Sequence, residues 1–502
     1  MARLSSYGRL LAAGWTLVRA DALLPREISP LLPPAVRTLA GFLRLFAGGA
    51  TRKGRPGERL AAALERLGPA AIKLGQLLST RADIFGAVFA EDLSRLKDRL
   101  APFPQEVAKA AVAEALGRPV DSLFAEFGPS VAAASLAQAH RATLADGRQV
   151  AVKVLRPGIE QRVAADCDAL RLAALLVDDW VAPARRLEPQ AFVGEVIRSL
   201  ELELDLRFEA AGGAELREVM ARDGYMSAPL VVWEGVAKRV LTLEWAQGTA
   251  LSEAAALELE GLDRPALANN LIRAFLAQAL DHGVFHADLH EGNLFVAAPA
   301  HITAVDFGII GRLGPDARRY LAEILFGFLT RDYARIAAVH FEAGYVPAHH
   351  DRAAFSQALR AVGEPIFGRG AKDVSMGRLI AQLFEITALF DMRLRPELVL
   401  LQKTMVTVEG VARRIDPGHD IWAAADPVVR RWITRELGPA ARARDLMADA
   451  VKALQALARM AEAPATTVVA VETRAPRPSR LTWFTLGIAA SALVFVLSWL
   501  FH

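Results

Sequence analysis

Apolar residues recur at helical spacing along most of the chain and alternate at strand spacing in only a few short stretches. Residues 1 to about 55 read as helices broken by Pro25, Pro30, Pro33 and Pro34, ending in a loop from Gly48 to Gly57. A helical block follows to about Leu116 and includes GPAAIKLGQLLSTRADIF from Gly68 to Phe85. The pattern then changes. Leu136–Leu144 and Gln149–Leu155 alternate around Asp146-Gly147, which predicts a hairpin closed by Arg156-Pro157-Gly158. Helical periodicity returns from Glu160 to Met220, and a short strand pair is expected at Leu230–Trp233 and Arg239–Glu244. After helical text from Leu251 to His282, the apolar stretches Asn293–Val296 and Ile302–Val305 flank a loop rich in reactive side chains. Helices then run to about Met460, and Ala463–Arg480 reads as a Pro-containing linker. No internal repeat stands out.

The last apolar run is of another kind. From Leu481 to Phe501 the chain reads LTWFTLGIAASALVFVLSWLF, 21 residues without a charge. At about 1.5 Å per residue this spans a hydrocarbon core of roughly 30 Å. Trp483 and Trp499 stand near its ends, and Arg474, Arg477 and Arg480 precede it, so a single C-terminal anchor is expected with the rest of the chain on the cytoplasmic side. A hydrophobic helix docked on the body of the protein is the competing reading. Near the N-terminus, Leu10, Leu11, Trp15, Leu17 and Val18 lie among Arg3, Arg9 and Arg19, as in an amphipathic surface helix. The apolar run there is short and no cleavage site follows, which argues against a signal peptide. An organellar transit peptide is disfavoured because Ala- and Arg-rich usage continues through the whole chain.

Composition narrows the class. The 502 residues allow two or three domain-sized units, and 53% hydrophobic with 23% charged residues excludes a disordered or collagen-like chain. Lys+Arg 59 against Asp+Glu 56 leaves only +3, which does not support nucleic-acid binding. A mean hydropathy of +0.25 agrees with membrane contact. The single cysteine, Cys167, excludes a disulfide framework and Cys-based metal sites and reads as inert core filler.

Three distant pieces carry the chemistry. Lys153 ends the apolar run Val150-Ala151-Val152, where an ammonium needs a carboxylate or a phosphate to meet it. HADLHEGN from His286 to Asn293 supplies Asp288 and Asn293, and Asp306-Phe307-Gly308 follows the strand HITAV. Asp288 precedes Asn293 by five positions and Asp306 by eighteen, the order of the catalytic Asp, metal-binding Asn and DFG Asp of protein kinases. Asn293 and Asp306 would offer oxygens to Mg²⁺, Asp288 would orient or deprotonate an attacking hydroxyl, and Lys153 would fix the phosphates of ATP. A hydrolase metal cluster of His286, Asp288, His290 and Glu291 would explain neither Lys153 nor the DFG turn. Where a kinase has its Gly-rich loop, this chain has Val131-Ala132-Ala133-Ala134-Ser135, whose methyls restrict backbone approach to phosphates. Ala287 stands where many kinases carry Arg, so no phosphorylated activation loop is expected.

With these features the sequence resembles the UbiB family of atypical protein-kinase-like proteins from about Gly68 to Arg414. The specific marks are Lys73, Gly75 and Gln76 of a Lys-x-Gly-Gln motif, the Ala-rich loop Ala132–Ser135, Glu203 and Asp205 followed by Glu209-Ala210, and HADLHEGN. Glu291 departs from it, since the family usually has Pro there; the side chain is expected to face solvent.

The resemblance implies an α+β, two-lobed, kinase-like fold, predominantly helical, with the Lys-x-Gly-Gln helices packed over the active site. Residues 1–55 would be membrane-surface helices, 56–120 the helical extension, 121–245 the N-lobe and 246–462 the C-lobe, with 463–480 as linker and 481–501 as anchor. Lys73 would reach toward the nucleotide with Glu203 as partner, Lys153 would pair with Glu209, and Leu243-Glu244-Trp245 would be the adenine-binding hinge. On spacing alone the roles of Glu203 and Glu209 could be exchanged. Asp166 and Asp168 lie nearer the usual kinase interval from Lys153, so this assignment requires a long insert. The nucleotide set is then Ala132, Ala133, Ala134, Ser135, Lys153, Glu203, Glu209, Glu244 and Trp245.

By the same resemblance the function would be an atypical kinase or ATPase using Mg²⁺ and ATP to support ubiquinone biosynthesis at the inner membrane. It would act on or extract polyprenyl-quinone precursors beside membrane lipid and the other biosynthetic enzymes, with a homodimer as a further possibility and no established protein substrate. A nucleotide-gated pseudokinase scaffold is the alternative. A ring hydroxylase is disfavoured, because Gly363, Gly368 and Gly370 lack the spacing of a Rossmann turn.

Overall fold

The computed structural model describes residues 2–22, 37–38, 54–79, 86–94, 96, 101–180, 188–368, 386, 389–392 and 396–438. The chain divides into Met1–Gly438 and Pro439–His502, and the second unit, with the linker and the 481–501 segment, lies outside the described residues. Among the described residues no helix is long and apolar enough to cross a membrane.

Helix α1 (Ala2–Arg19) is followed by α2 (Pro56–Leu67), α3 (Pro69–Leu78), α4 (Ala87–Ser94) and α5 (Gln105–Leu116). Gly68 joins α2 to α3 at φ +104°, a conformation that glycine adopts at little cost. Leu60 and Leu64 of α2 pack with Phe89 and Leu93 of α4.

The main sheet is antiparallel in the order β1 (Phe124–Ala133), β2 (Ala137–Leu144), β3 (Gln149–Leu155) and β4 (Val240–Glu244). Val150, Val152 and Val154 bury one face of β3 under Ala108 and Val112 of α5. Strand alternation therefore sends Lys153 to the opposite face.

Two differences from the sequence pattern have physical causes. Strand β1 has no counterpart in the sequence pattern, because Gly128-Pro129-Ser130 interrupts its alternation. It accepts these residues as a sheet-edge strand with register shifts. The stretch read as a loop at Val131–Ser135 accordingly lies in β1 as far as Ala133, and the turn falls at Ser135-Leu136. The predicted strand Leu230–Trp233 reduces to a bridge between Val231 and Leu243, with a short 3-10 turn at Trp233–Gly235. Thr242 Oγ donates to the Gly235 carbonyl at 2.9 Å and holds that turn against β4.

Between β3 and β4 run α6 (Ile159–Trp180), α7 (Pro189–Glu203) and α8 (Leu206–Asp223). Ile159, Val163 and Cys167 pack with Val196, Ile197 and Leu200, and burial pushes the Cys167 thiol up to about 11. This is a core thiol. Asp205 caps α8 by accepting from the Arg207 amide.

The second lobe is built on α9 (Arg264–Ala277), which ends in a π-helical turn, Gln278–His282. Short strands β5 (Thr249–Ala250), β6 (Val284–His286), β7 (Leu294–Ala297), β8 (His301–Ala304) and β9 (Ile310–Arg312) form two small sheets, β5-β7-β8 and β6-β9. Among the described residues, helices α10 (Pro315–Thr330), α11 (Tyr333–Glu342), α12 (Arg352–Gly368), α13 (Pro396–Ile415) and α14 (Ile421–Glu436) follow. Leu271 and Phe275 of α9, Val408 and Ala412 of α13, and Val428 and Trp432 of α14 share one core.

Candidate nucleotide and metal site

Lys153 reaches off β3 to two carboxylates. Its Nζ donates to both oxygens of Glu209, at 2.8 and 2.9 Å, and lies 3.4 Å from Asp306 Oδ1. Glu209 sits in the first turn of α8, so the 56 positions separating it from Lys153 are filled by α6 and α7. Asp166 instead pairs with Arg9 of α1 at 2.7 Å, and Asp168 with Arg171. Burial alone would lower the lysine's affinity for its proton, but Asp306 and Glu209 overcome this and hold it charged. The same lysine pulls the Asp306 carboxyl below its usual range. Glu209 goes the other way: burial pushes it up, Lys153 opposes that, and nearby Asp306 and Glu203 add to the rise.

Glu203 ends α7 and forms an ion pair with Lys73, which is buried on α3. Its effect on Glu209 brings the Lys73–Glu203 and Lys153–Glu209 pairs into one electrostatic neighbourhood.

The loop after β6 is set from beneath. His286 is fully buried; its Nε2 faces the Val305 carbonyl at 3.1 Å and its Nδ1 accepts from the Asp288 amide at 3.2 Å. Those partners require the neutral Nε2–H tautomer, and burial lowers the ring's pKa in the same sense. Gln278, carried on the π-turn, accepts the His286 amide. Asn293 Nδ2 donates to the Asp288 carbonyl at 3.0 Å, and the Asn293 carbonyl accepts from the Val305 amide. The Asn293 amide nitrogen is thereby committed, leaving Oδ1 as the group offered to a cation. Asp306 takes the left-handed conformation at φ +64° and accepts from the Gly308 amide.

An amide oxygen and a carboxylate kept ionised are hard donors, and they fit Mg²⁺. Lys153, Asp306, Asn293 and Asp288 are thus linked through direct contacts and adjacent backbone. His286 of the alternative hydrolase cluster is not free to bind a metal, since both its nitrogens are occupied by backbone groups.

The Ala-rich turn is pinned. The Ala134 amide donates to the Ala137 carbonyl, and Arg156 binds down both ends: its Nε donates to the Ala134 carbonyl at 2.9 Å and its amide to the Leu136 carbonyl at 2.8 Å. Ser135 is buried. At the expected hinge two backbone donors are engaged within the protein. The Glu244 amide donates to the Leu230 carbonyl and the Trp245 amide to the Gln149 carbonyl, because sheet pairing continues to this point. Neither amide is available to a base. The Glu244 carboxylate meets Arg148 at 3.3 Å.

The ABC1 atypical kinase-like domain matches residues 95–340, and the UbiB helical domain matches residues 359–420. A Marinobacter nauticus protein named "Probable protein kinase UbiB" is 39% identical over 446 residues, which cover 87% of this chain and 81% of that protein. This chain belongs to the UbiB family. The fold is the kinase-like ABC1 fold, mostly helical with small sheets. Among solved structures, the Mycobacterium tuberculosis Rv3197–erythromycin complex has a TM-score of 0.52 over 78% of this chain and 98% of that chain. At 21% identity the likeness is one of fold alone.

The part matching the UbiB helical domain touches the site. Thr404 of α13 donates to the buried Ala287 carbonyl at 3.0 Å, and Arg414 near the end of α13 forms an ion pair with Glu291. Glu291 therefore does not simply face solvent as expected: it ties the Asp288–Asn293 loop to α13. Sequence reasoning also missed the α8 seam. A Cβ on Gly213 would lie 2.8 Å from Phe307, Gly212 faces Ile310 across a similarly closed space, and Glu215 takes two hydrogen bonds from Arg312 at 2.9 and 2.6 Å. The adjacent glycines inside an otherwise good helix were the available signal.

Proposed function

We propose that this protein is an ATP-consuming atypical kinase or ATPase that supports ubiquinone biosynthesis at a membrane. The observation that carries this reading is Lys153 held between Glu209 and Asp306 while Asn293 is locked onto the Asp288 backbone. In this reading Asn293 and Asp306 hold Mg²⁺, which when bound neutralises phosphate charge. Lys153 supplies a fixed positive charge to the phosphates, and Glu209 keeps it aimed. Asp288, partly exposed and beside His290 at 3.8 Å, accepts the proton of the attacking hydroxyl or water. His286 holds the Asp288 amide, so the carboxylate is presented by a loop that does not have to reorganise.

The acceptor is proposed to be small or lipid-like. Only residues 309–314 lie between the DFG turn and α10, and β9 occupies half of them in pairing with β6. That leaves little backbone on which to lay a peptide. Prenylated quinone precursors fit the long uncharged 481–501 segment, which we propose as the inner-membrane anchor with the kinase-like part in the cytoplasm.

The test is Mg²⁺-dependent ATP turnover by the full chain in lipid, with a phenolic quinone-head analogue present. Turnover is expected in the wild type and a loss of at least about a hundredfold in Asp306→Asn, the scale of losing a group that stabilises transition-state charge. Equal rates in the two proteins would overturn the enzyme. The pinned Ala134 turn and the Lys73–Glu203 pair favour one second reading, a nucleotide-gated scaffold. It is distinguished by Asp288→Asn supporting quinone synthesis in cells while Lys153→Ala does not.

A further inference from the structure

The loop between α11 and α12 carries consecutive histidines, His349 and His350, and both turn toward Asp391, 41 positions beyond His350. His350 Nε2 lies 3.2 Å from Asp391 Oδ2, and His349 Nε2 lies 3.9 Å from the same oxygen. One ligand atom from each residue falls within 4.8 Å of the other two. The imidazoles are adjacent and tilted, with centroids 4.2 Å apart and planes at 37°. A hydrogen bond accounts for His350 alone; at 3.9 Å the His349 nitrogen is beyond that reach yet aimed at the same place.

We infer that His349, His350 and Asp391 form a binding site for a divalent transition metal of the zinc class. With bonds of about 2.0–2.2 Å, the ligands of a tetrahedral zinc sit roughly 3.4 Å from one another. The spacings here come to that value with ångström-scale side-chain adjustment. Two imidazole nitrogens and one carboxylate suit zinc, nickel or copper far better than magnesium, and they leave a fourth position open to water. The back of the site is firm: His350 packs edge-on against Phe390, which packs against the buried Phe355 of α12. His349 and Asp391 are exposed, so a cation reaches the site without opening the core. A metal here clips the start of α12 to residue 391, within the stretch matched by the UbiB helical domain. None of these residues belongs to the nucleotide site.

The test uses tag-free full chain in detergent, stripped by a chelator and titrated with Zn²⁺ against a chromophoric zinc chelator. One equivalent is expected in the wild type and in Asp306→Asn, with at least tenfold weaker binding in His350→Ala and Asp391→Asn. Zn²⁺ is expected to raise the melting temperature of the wild type and not that of His349→Ala, an exposed substitution that leaves the aromatic packing in place. Co²⁺ is expected to give visible ligand-field bands in the wild type that His349→Ala abolishes. Unchanged Zn²⁺ binding in Asp391→Asn and His350→Ala would overturn the site, as would its loss in Asp306→Asn or the absence of any bound equivalent in the wild type.

Discussion

Lys153 and its neighbours form a chain of charges in which each group sets the next. Glu209 is the sensitive member, because burial holds its carboxyl up while Lys153 pulls the Asp306 carboxyl down. As pH falls, Glu209 takes up a proton before Asp306 does, and Lys153 loses its anchor. ATP affinity, followed with a fluorescent nucleotide, should therefore show an acid limb above the ordinary glutamate range, and Glu209→Gln should bind at least tenfold more weakly and lack that limb. The fold should not fail with it. A carboxyl whose folded pKa is raised binds protons more readily folded than unfolded, so this group's contribution to stability grows as pH falls through that window. In Lys73→Ala, Glu203 loses its neutralising partner and pushes Glu209 up further, so the same limb should move to higher pH. Glu203→Gln in that background should move it back. Limbs that coincide in all these proteins would break the electrostatic link between the two pairs.

Helix α8 is fastened at successive points: Glu209 to Lys153, Gly212 and Gly213 against Ile310 and Phe307, and Glu215 to Arg312. Gly213→Ala should gain about 1 kcal/mol in helix propensity. It also drives a methyl into the buried Phe307 ring, and overpacking of that kind costs about 1–3 kcal/mol. The net expectation is a lower melting temperature together with reduced turnover, since Phe307 follows Asp306 directly. An unchanged melting temperature would show that the seam can give. On the other side of the loop, α13 holds Ala287 through Thr404 and Glu291 through Arg414. Arg414→Ala should lower kcat with little change in KM for ATP, because the Lys153–Glu209 pair proposed to meet the phosphates is untouched. A rise in KM with kcat preserved would assign Arg414 to binding instead.

At the scale of the whole chain, the unit ending at Gly438 and the segment 481–501 have different chemistry. One buries charges in specific pairs, and the other has no charge at all. Deleting 481–501 should release the protein from bicelles or inverted inner-membrane vesicles in a flotation assay while leaving the melting transition of the kinase-like part in place. Continued flotation would shift the membrane contact to α1, where Tyr7, Leu11 and Trp15 are exposed on the helix.

Local sequence was sufficient for whatever depends on order and periodicity. The β2–β3 hairpin, the lysine at the inner face of β3, the Asp288-to-Asn293 spacing and the DFG turn were all legible, because each is specified within a few residues of itself. The pairing of charges was not. Glu203 and Glu209 lie six positions apart on consecutive helices, and which lysine each meets depends on how α3 and β3 pack against those helices. The same holds for Glu291 with Arg414, and for β1, whose broken alternation is tolerated only at the edge of a sheet. Spacing fixes what chemistry a segment can offer. Burial and long-range contact fix which partner answers it, because the energy of a charge depends on neighbours that the chain brings up only on folding.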